Sequence, residues 1–466
     1  MMNSYIHMIE TKFTSPVIPT ALATGRDDSI SEDEHRFLKT LIWAYFFLLV
    51  FEGALRKWFL PGLANPLLIV RDPLAILIVG IAWYRGLLPA TPYLFAMVII
   101  GVIGLLTATL FGHGNIWVAL FGARILLVHY PMVFAVGRIF TRDDVVRMGK
   151  TTLWMSIPLA ILIFLQFYSP QSAWVNRGVG GDLEGSGFSG AMGYYRPSGT
   201  FSFTNGTTMF FGFAAAFIIY FWLNIKNVSR ILLLAATVSL LIAIPLSISR
   251  ALFFGVCLSL LFAVFASSRK PKFMVRIVLA ILGMVLLLLL LLQIDSVQQA
   301  LLIFTTRFEY ANESEGGLQG VLLDRYLGGM IGALTQASSF PFFGYGLGLG
   351  TNVGSILTNG EVMYLISEGE WGRLIGELGP LLGLMVILIR VGLSWKISLA
   401  SYSKLVRGDI LPWMLLSFGL LLIPQSQWGQ PTTLGFSSLI AGLILASLRV
   451  KSSNVKTLKT AMAKRL

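Results

Sequence analysis

The stretch Ile277–Leu292 reads IVLAILGMVLLLLLLL and ends in seven consecutive leucines. So long an apolar run approaches the roughly 20 residues that a helix needs to cross a bilayer. Over residues 293–373 the pattern lapses: glycine punctuates the chain, carboxylates are frequent, and Arg307, Arg325 and Arg373 appear. A second apolar run, Leu374–Ile389, follows. Nowhere else past the N-terminus does the chain leave the membrane pattern for so long. Residues 293–373 are therefore expected to form one large extracytoplasmic loop set between spanning helices.

Composition supports the membrane class. The chain is 56% apolar and 12% charged, whereas charged residues make up about a quarter of a soluble domain. Working outward from the leucine run, we place spans near 38–55, 66–84, 92–111, 116–138, 150–168, 207–224, 230–248, 251–267, 274–292, 374–394, 409–425 and 432–449, twelve in all. Pro131 is expected to break the fourth. The fold class is thus an all-α integral membrane protein. Its divisions are a polar tail over 1–37, a bundle of nine spans over 38–292, the outer segment 293–373, three further spans over 374–449, and a basic tail over 450–466. The first tail clusters Asp27, Asp28, Glu32, Asp33 and Glu34. It lacks the charged-then-apolar opening of a signal peptide, and its acids read as a solvated charge run. The lone cysteine, Cys257, excludes an intrachain disulfide.

Basic residues orient this bundle, because Lys and Arg concentrate in cytoplasmic loops. Of the 35, twenty-five fall in the two tails and in alternate loops, among them Arg85, Arg138, Lys226, Lys270, Arg390 and Lys404. Eight fall on the opposite side: Arg56, Lys57, Arg177, Arg196, Arg250, Arg307, Arg325 and Arg373. Both termini are then cytoplasmic and the large loop is outside. The net charge of +13 follows mainly from this asymmetry and calls for no nucleic acid.

Cations that remain on the depleted side ask for a use. Arg196, Arg250 and Arg373 stand just before or at the starts of spans that run from outside to inside, where the helix macrodipole disfavours positive charge. An anion resolves the conflict, since helix N-termini and arginines together form a diphosphate site. The alternative is that they snorkel to lipid headgroups. Around Arg196 the run YRPSGTFSFTNG (195–206) is rich in capping residues that expose backbone N–H groups. Around Arg250 the run PLSISRA (245–251) is too short a turn to be a solvated loop.

Glu370, Arg373 and Glu377 recur at i, i+3 and i+7, one face of a helix, as reactive groups or as an ion-pair series. Glu52 and Arg56, four apart, read as a pair, as do the neighbours Arg71 and Asp72. With Arg124 they are ionisable groups at membrane depth. The glycines at 344, 346, 348 and 350 lack a following Gly-Lys-Ser/Thr, so they form a tight turn and not a nucleotide loop. No His/Cys cluster suits a metal.

The order of four motifs carries a resemblance: RPSGTFSFTNG opening one span, SISRA two spans later, FPFFGYGLG (340–348) in the outer segment, and EGEWGRLIGELGP (368–380) leading into the next span. Over about residues 170–400 the chain resembles the O-antigen ligase and O-antigen polymerase superfamily. The resemblance implies a GT-C-like, metal-independent glycosyltransferase of the bacterial cytoplasmic (inner) membrane, acting on undecaprenyl-diphosphate-linked oligosaccharides without a cofactor. A chain-length regulator of a polysaccharide assembly system is the partner it implies. Ligases of the family carry a histidine in the outer loop; here His7, His35, His113 and His129 all lie elsewhere, and Glu361, Glu368 and Glu370 occupy the region. A polymerase-like member is favoured over a ligase. Glycosyl transfer from a lipid diphosphate needs the leaving group stabilised and the acceptor hydroxyl deprotonated. Arg196, Arg250 and Arg325 are the expected diphosphate ligands, and Glu370, beside Arg373, is the expected base. Arg177, with fifteen residues before Gly193, echoes a polymerase spacing. Arg177, Glu52, Glu361 and Glu377 complete the candidates. The alternatives are a flippase for the same lipid, for which no internal repeat is evident, and a non-catalytic scaffold.

Overall fold

The computed structural model describes residues 32–225, 228–268, 271–315, 328–359, 366, 367 and 369–449. Among these the chain is helical apart from loops and a two-residue antiparallel ladder, β1 (Phe188–Ser189) with β2 (Tyr195–Arg196). The first helix, α1 (Glu32–Ala54), starts ahead of the expected boundary because Glu32, Asp33 and Glu34 occupy its first turn. Exposed N–H groups there favour negative charge. It runs straight into a π-helical turn, Leu55–Phe59.

The next helices are α2 (Asp72–Tyr84), α3 (Pro92–Leu110), α4 (Ile116–Arg124), α5 (Tyr130–Ile139) and α6 (Arg142–Tyr168). Their starts follow local chemistry: Thr91 and Asn115 cap α3 and α4, and Thr141 with Asp144 forms a capping box on α6. Pro131 does not split the fourth span. A π-helical turn, Ile125–His129, joins α4 to α5 and places the proline in the first turn of α5, giving one helix over Ile116–Ile139.

Beyond the ladder come α7 (Thr204–Leu223), α8 (Arg230–Leu246), α9 (Arg250–Ser268) and α10 (Pro271–Leu291). The described part of residues 293–373 is largely helical too, with α11 (Asp295–Glu315), α12 (Gly328–Thr335) and α13 (Asn352–Asn359). The chain ends in α14 (Glu370–Val406), α15 (Leu411–Gln425) and α16 (Pro431–Leu448). Nine helices among the described residues are long and apolar enough to cross a membrane. A tenth arises if α10 and α11, bent by 108°, count together, and α8 and α15 are shorter apolar helices. Each expected span falls on one of these. This is the pattern of an all-α, multi-pass membrane protein.

The centre is set by α7 and α16, each 89% buried over its apolar window, against 33% for α9. In lipid, helices associate by close packing of small residues. On α16, Gly442 meets Val136 of α5 and Gly435 meets Arg71 and Leu49, positions where a Cβ would overlap the neighbour. Phe213 of α7 fills the middle, in edge or tilted contact with Phe46, Phe217, Phe418 and Phe436.

One element departs from the expected span. The tenth was placed over 374–394 as a continuous helix, yet α14 breaks at Gly379 (φ 79°, ψ 170°), followed by Pro380. The arm Glu370–Leu378 folds back so closely that a Cβ on Gly383 would lie 2.6 Å from Ile375 Cα.

Candidate functional site

Four helices begin at one end of the bundle, and side chains tie their starts together. Thr208 in the first turns of α7 donates to Ser249 Oγ, just before α9, at 2.9 Å. Asn205 donates to Thr433 Oγ1 of α16 at 2.9 Å. The Trp428 N–H, just before α16, donates to Glu370 Oε2 of α14 at 3.1 Å. The positive ends of four macrodipoles therefore gather. Arg250 is the first residue of α9, Arg373 lies in the first turn of α14, and Arg196 ends β2 on the approach to α7.

Arg196 projects from a segment held on all sides. Pro197 O accepts from Thr207 Oγ1 (3.2 Å), Ser198 Oγ meets Ser186 Oγ (2.7 Å), and Thr200 Oγ1 donates to Val50 O (2.6 Å). Gly199, at φ 61°, donates its N–H to Gln166 Oε1 (2.8 Å) and accepts from Gln166 Nε2 (3.2 Å). The Ser and Thr residues of this run were expected to cap α7. Instead the N-cap is Phe203 without a side-chain bond, and these hydroxyls tether the loop to its neighbours.

Burial pushes the Arg196 guanidinium below its ordinary pKa, and the positive charges of Arg307 and Arg250 push it further. Its Nε is buried without an acceptor among the described residues. Arg307 reaches this cluster from α11. Phe304 and Phe308, flanking it, pack on Phe253 and Phe254 next to Arg250, with ring centroids 5.8 to 6.1 Å apart. Sequence reasoning grouped Arg307 with Arg196 and Arg250 on one side of the expected bundle but did not name it among the site residues. The phenylalanines around it were the available signal. Arg325 and Glu361, with Glu368, lie outside the described residues.

The second constellation is a closed ion network. Arg373 donates to both oxygens of Glu370 (2.9 and 2.9 Å) and to Glu377 Oε2 (2.6 Å). Arg390 donates to Glu370 Oε1 and stacks over Trp428, 4.2 Å from the ring centroid. Glu377 Oε1 accepts from Gly350 N (2.8 Å). All four charged residues are buried. Two readings change. Arg390 was counted in a cytoplasmic loop but lies inside the bundle, 1% exposed. Glu370 was the expected base, but its two oxygens accept from Arg373, Arg390 and the Trp428 N–H, four donors in total. A carboxylate so engaged holds its arginines and has no lone pair left for a substrate proton. The expected face-sharing series is present as an ion-pair series.

Glu52 pairs with Arg56 (3.4 Å), as expected, and also with Arg71 (3.0 Å). Arg71 and Asp72 do not pair with each other: Arg71 also donates to Pro431 O, and Asp72 accepts from Arg124 (2.7 and 2.9 Å) and contacts His129 (2.9 Å). Arg56 donates to Ser202 Oγ at 2.8 Å, so this chain of charges abuts the Arg196 loop. Arg177 ends the turn Trp174–Asn176, and its Nε is buried without an acceptor among the described residues. The turn over 344–350 docks on the α3–α4 connection through Phe343 on Phe111 (5.0 Å) and His113 Nε2 on Leu347 O (3.2 Å), and its glycines approach protein atoms, Gly344 and Gly348 backbone and Gly350 the Arg373 and Glu377 side chains.

No protein-family model matches this sequence, and neither does any curated protein.

Proposed function

We propose that the chain is a membrane glycosyltransferase that builds a cell-surface polysaccharide from saccharide units carried on undecaprenyl diphosphate, on the outer face of the bacterial cytoplasmic membrane. The observation that carries this reading is the cluster of Arg196, Arg250 and Arg307 at the gathered starts of α7 and α9, with a buried Arg196 Nε lacking an acceptor among the described residues. Like charges brought together at the positive ends of helices suit a ligand with two or more negative charges. In the reaction, the bond from the anomeric carbon to the diphosphate oxygen breaks and a bond to the acceptor hydroxyl oxygen forms. The lipid diphosphate leaves with the electron pair, and the acceptor proton passes to a base. The arginines stabilise the departing charge. With Glu370 engaged, the base role passes to Glu361 or Glu368 of the same outer segment. The absence of a histidine from residues 293–373 favours polymerisation over ligation.

The test supplies purified full-length protein in nanodiscs with an undecaprenyl-diphosphate-linked oligosaccharide, without nucleotide or ion gradient. Chain elongation is expected, lost in Arg250→Ala while the protein remains in the membrane. Translocation of the lipid without elongation makes the chain a transporter instead, and full activity of the variant removes Arg250 from the site.

A further inference from the structure

Lys57 has no part in the chemistry above, yet it is among the most enclosed charged side chains in the molecule, 0% exposed. It lies in the π-helical turn Leu55–Phe59 that continues α1. Such turns are rare and frequent at functional sites. Burying an ammonium group away from water is costly unless it is paired or fully hydrogen-bonded. Among the described residues Lys57 forms no ion pair: the nearby Glu52 is taken by Arg56 and Arg71. Its Nζ donates to Gly199 O at 2.6 Å and to Ser198 Oγ at 2.9 Å, and lies 4.6 Å from the Trp58 ring centroid. A methionine would fill the same space without the desolvation cost, so the amine is there for what it holds.

What it holds is the loop that carries Arg196. Ser198 and Gly199 follow Arg196 by two and three residues, with the stiff Pro197 between. Gln166 of α6, 2% exposed, grips Gly199 from the other side through both its N–H and its carbonyl. Gly199 O thus accepts from a lysine and a glutamine at once, and the left-handed turn at Gly199 is fixed between α1 and α6.

We infer that Lys57 is a positioning residue: with Gln166 it clamps Ser198 and Gly199 so that the Arg196 guanidinium is presented to the diphosphate of a lipid-linked substrate. This rests on the diphosphate reading of the arginine cluster. The clamp makes the site pre-organised, so the lipid does not bear the cost of ordering the loop.

The experiment measures binding of undecaprenyl diphosphate to the purified full-length protein in detergent, in the wild type, Lys57→Met, Lys57→Arg, Arg196→Ala and the Lys57→Met/Arg196→Ala double variant. Lys57→Met is expected to weaken binding about tenfold. Lys57→Arg, which restores a donor, is expected to recover most of the loss. In the Arg196→Ala background Lys57→Met is expected to cost nothing more, because its effect passes through Arg196. Gln166→Leu, read the same way, carries the test if Lys57→Met fails to accumulate. Wild-type affinity in Lys57→Met or Gln166→Leu, or an additive loss on top of Arg196→Ala, overturns the positioning role while leaving the diphosphate reading intact. Unchanged affinity in Arg196→Ala overturns both.

Discussion

Glu370 shows how burial decides a residue's role. Its spacing with Arg373 and Glu377 marks one helix face, and that face forms as the spacing requires. The spacing is silent on Arg390, twenty positions away, whose guanidinium completes the set of donors. A buried carboxylate that loses its partners, or a guanidinium that loses its carboxylate, is left with an uncompensated charge, at about 3–5 kcal/mol. Glu370→Ala is therefore expected to destabilise the protein by that order, read as a fall in the thermal unfolding midpoint in detergent. A variant as stable as the wild type would remove the structural role assigned here. The arginines at or near helix starts were legible because a charged residue at the edge of an apolar run is conspicuous in the sequence. Arg390 was not, because a single arginine inside an apolar stretch reads as the edge of a loop.

At the scale of the element, the informative feature is the break in α14. The dipeptide Gly379-Pro380 is strong punctuation, but it lies within a run apolar enough to read as one span. Packing decided otherwise: the arm folds back, and Gly379 adopts a conformation that side chains rarely allow, with the space for a Cβ filled by Phe342 O at 2.0 Å. Gly379→Ala is expected to cost more than the roughly 1–3 kcal/mol of backbone strain alone. Gly80→Ala, in the middle of α2 with nothing within 4 Å, is expected to be neutral or to stabilise by up to about 1 kcal/mol. Equal midpoints for the two variants would show that the fold-back does not exist in solution. A different local cause sets α1, whose acidic first turn, Glu32 to Glu34, reaches into residues that composition alone marks as a tail.

For the whole molecule, the long apolar helices were legible because composition and run length are set by the bilayer itself. The contacts among them were not, since they depend on which glycine meets which neighbour across the bundle. Orientation yields a separate expectation. With Cys257 replaced by Ser, cysteines at Glu184, in the loop before β1, and at Ser403, near the far end of α14, are expected to react oppositely with a membrane-impermeant maleimide in intact cells. Glu184→Cys labels and Ser403→Cys does not. Labelling of Ser403→Cys alone would invert the bundle and place the arginine cluster in the cytoplasm.

The most direct measurement is the affinity of the purified protein for undecaprenyl diphosphate and for undecaprenyl monophosphate, in the wild type and in Arg196→Ala, Arg250→Ala and Arg307→Ala. The arginine cluster requires tighter binding of the diphosphate, a loss of about tenfold or more in each variant, and an affinity that falls as salt rises. Equal affinity for the two lipids, undiminished in all three variants, would contradict it.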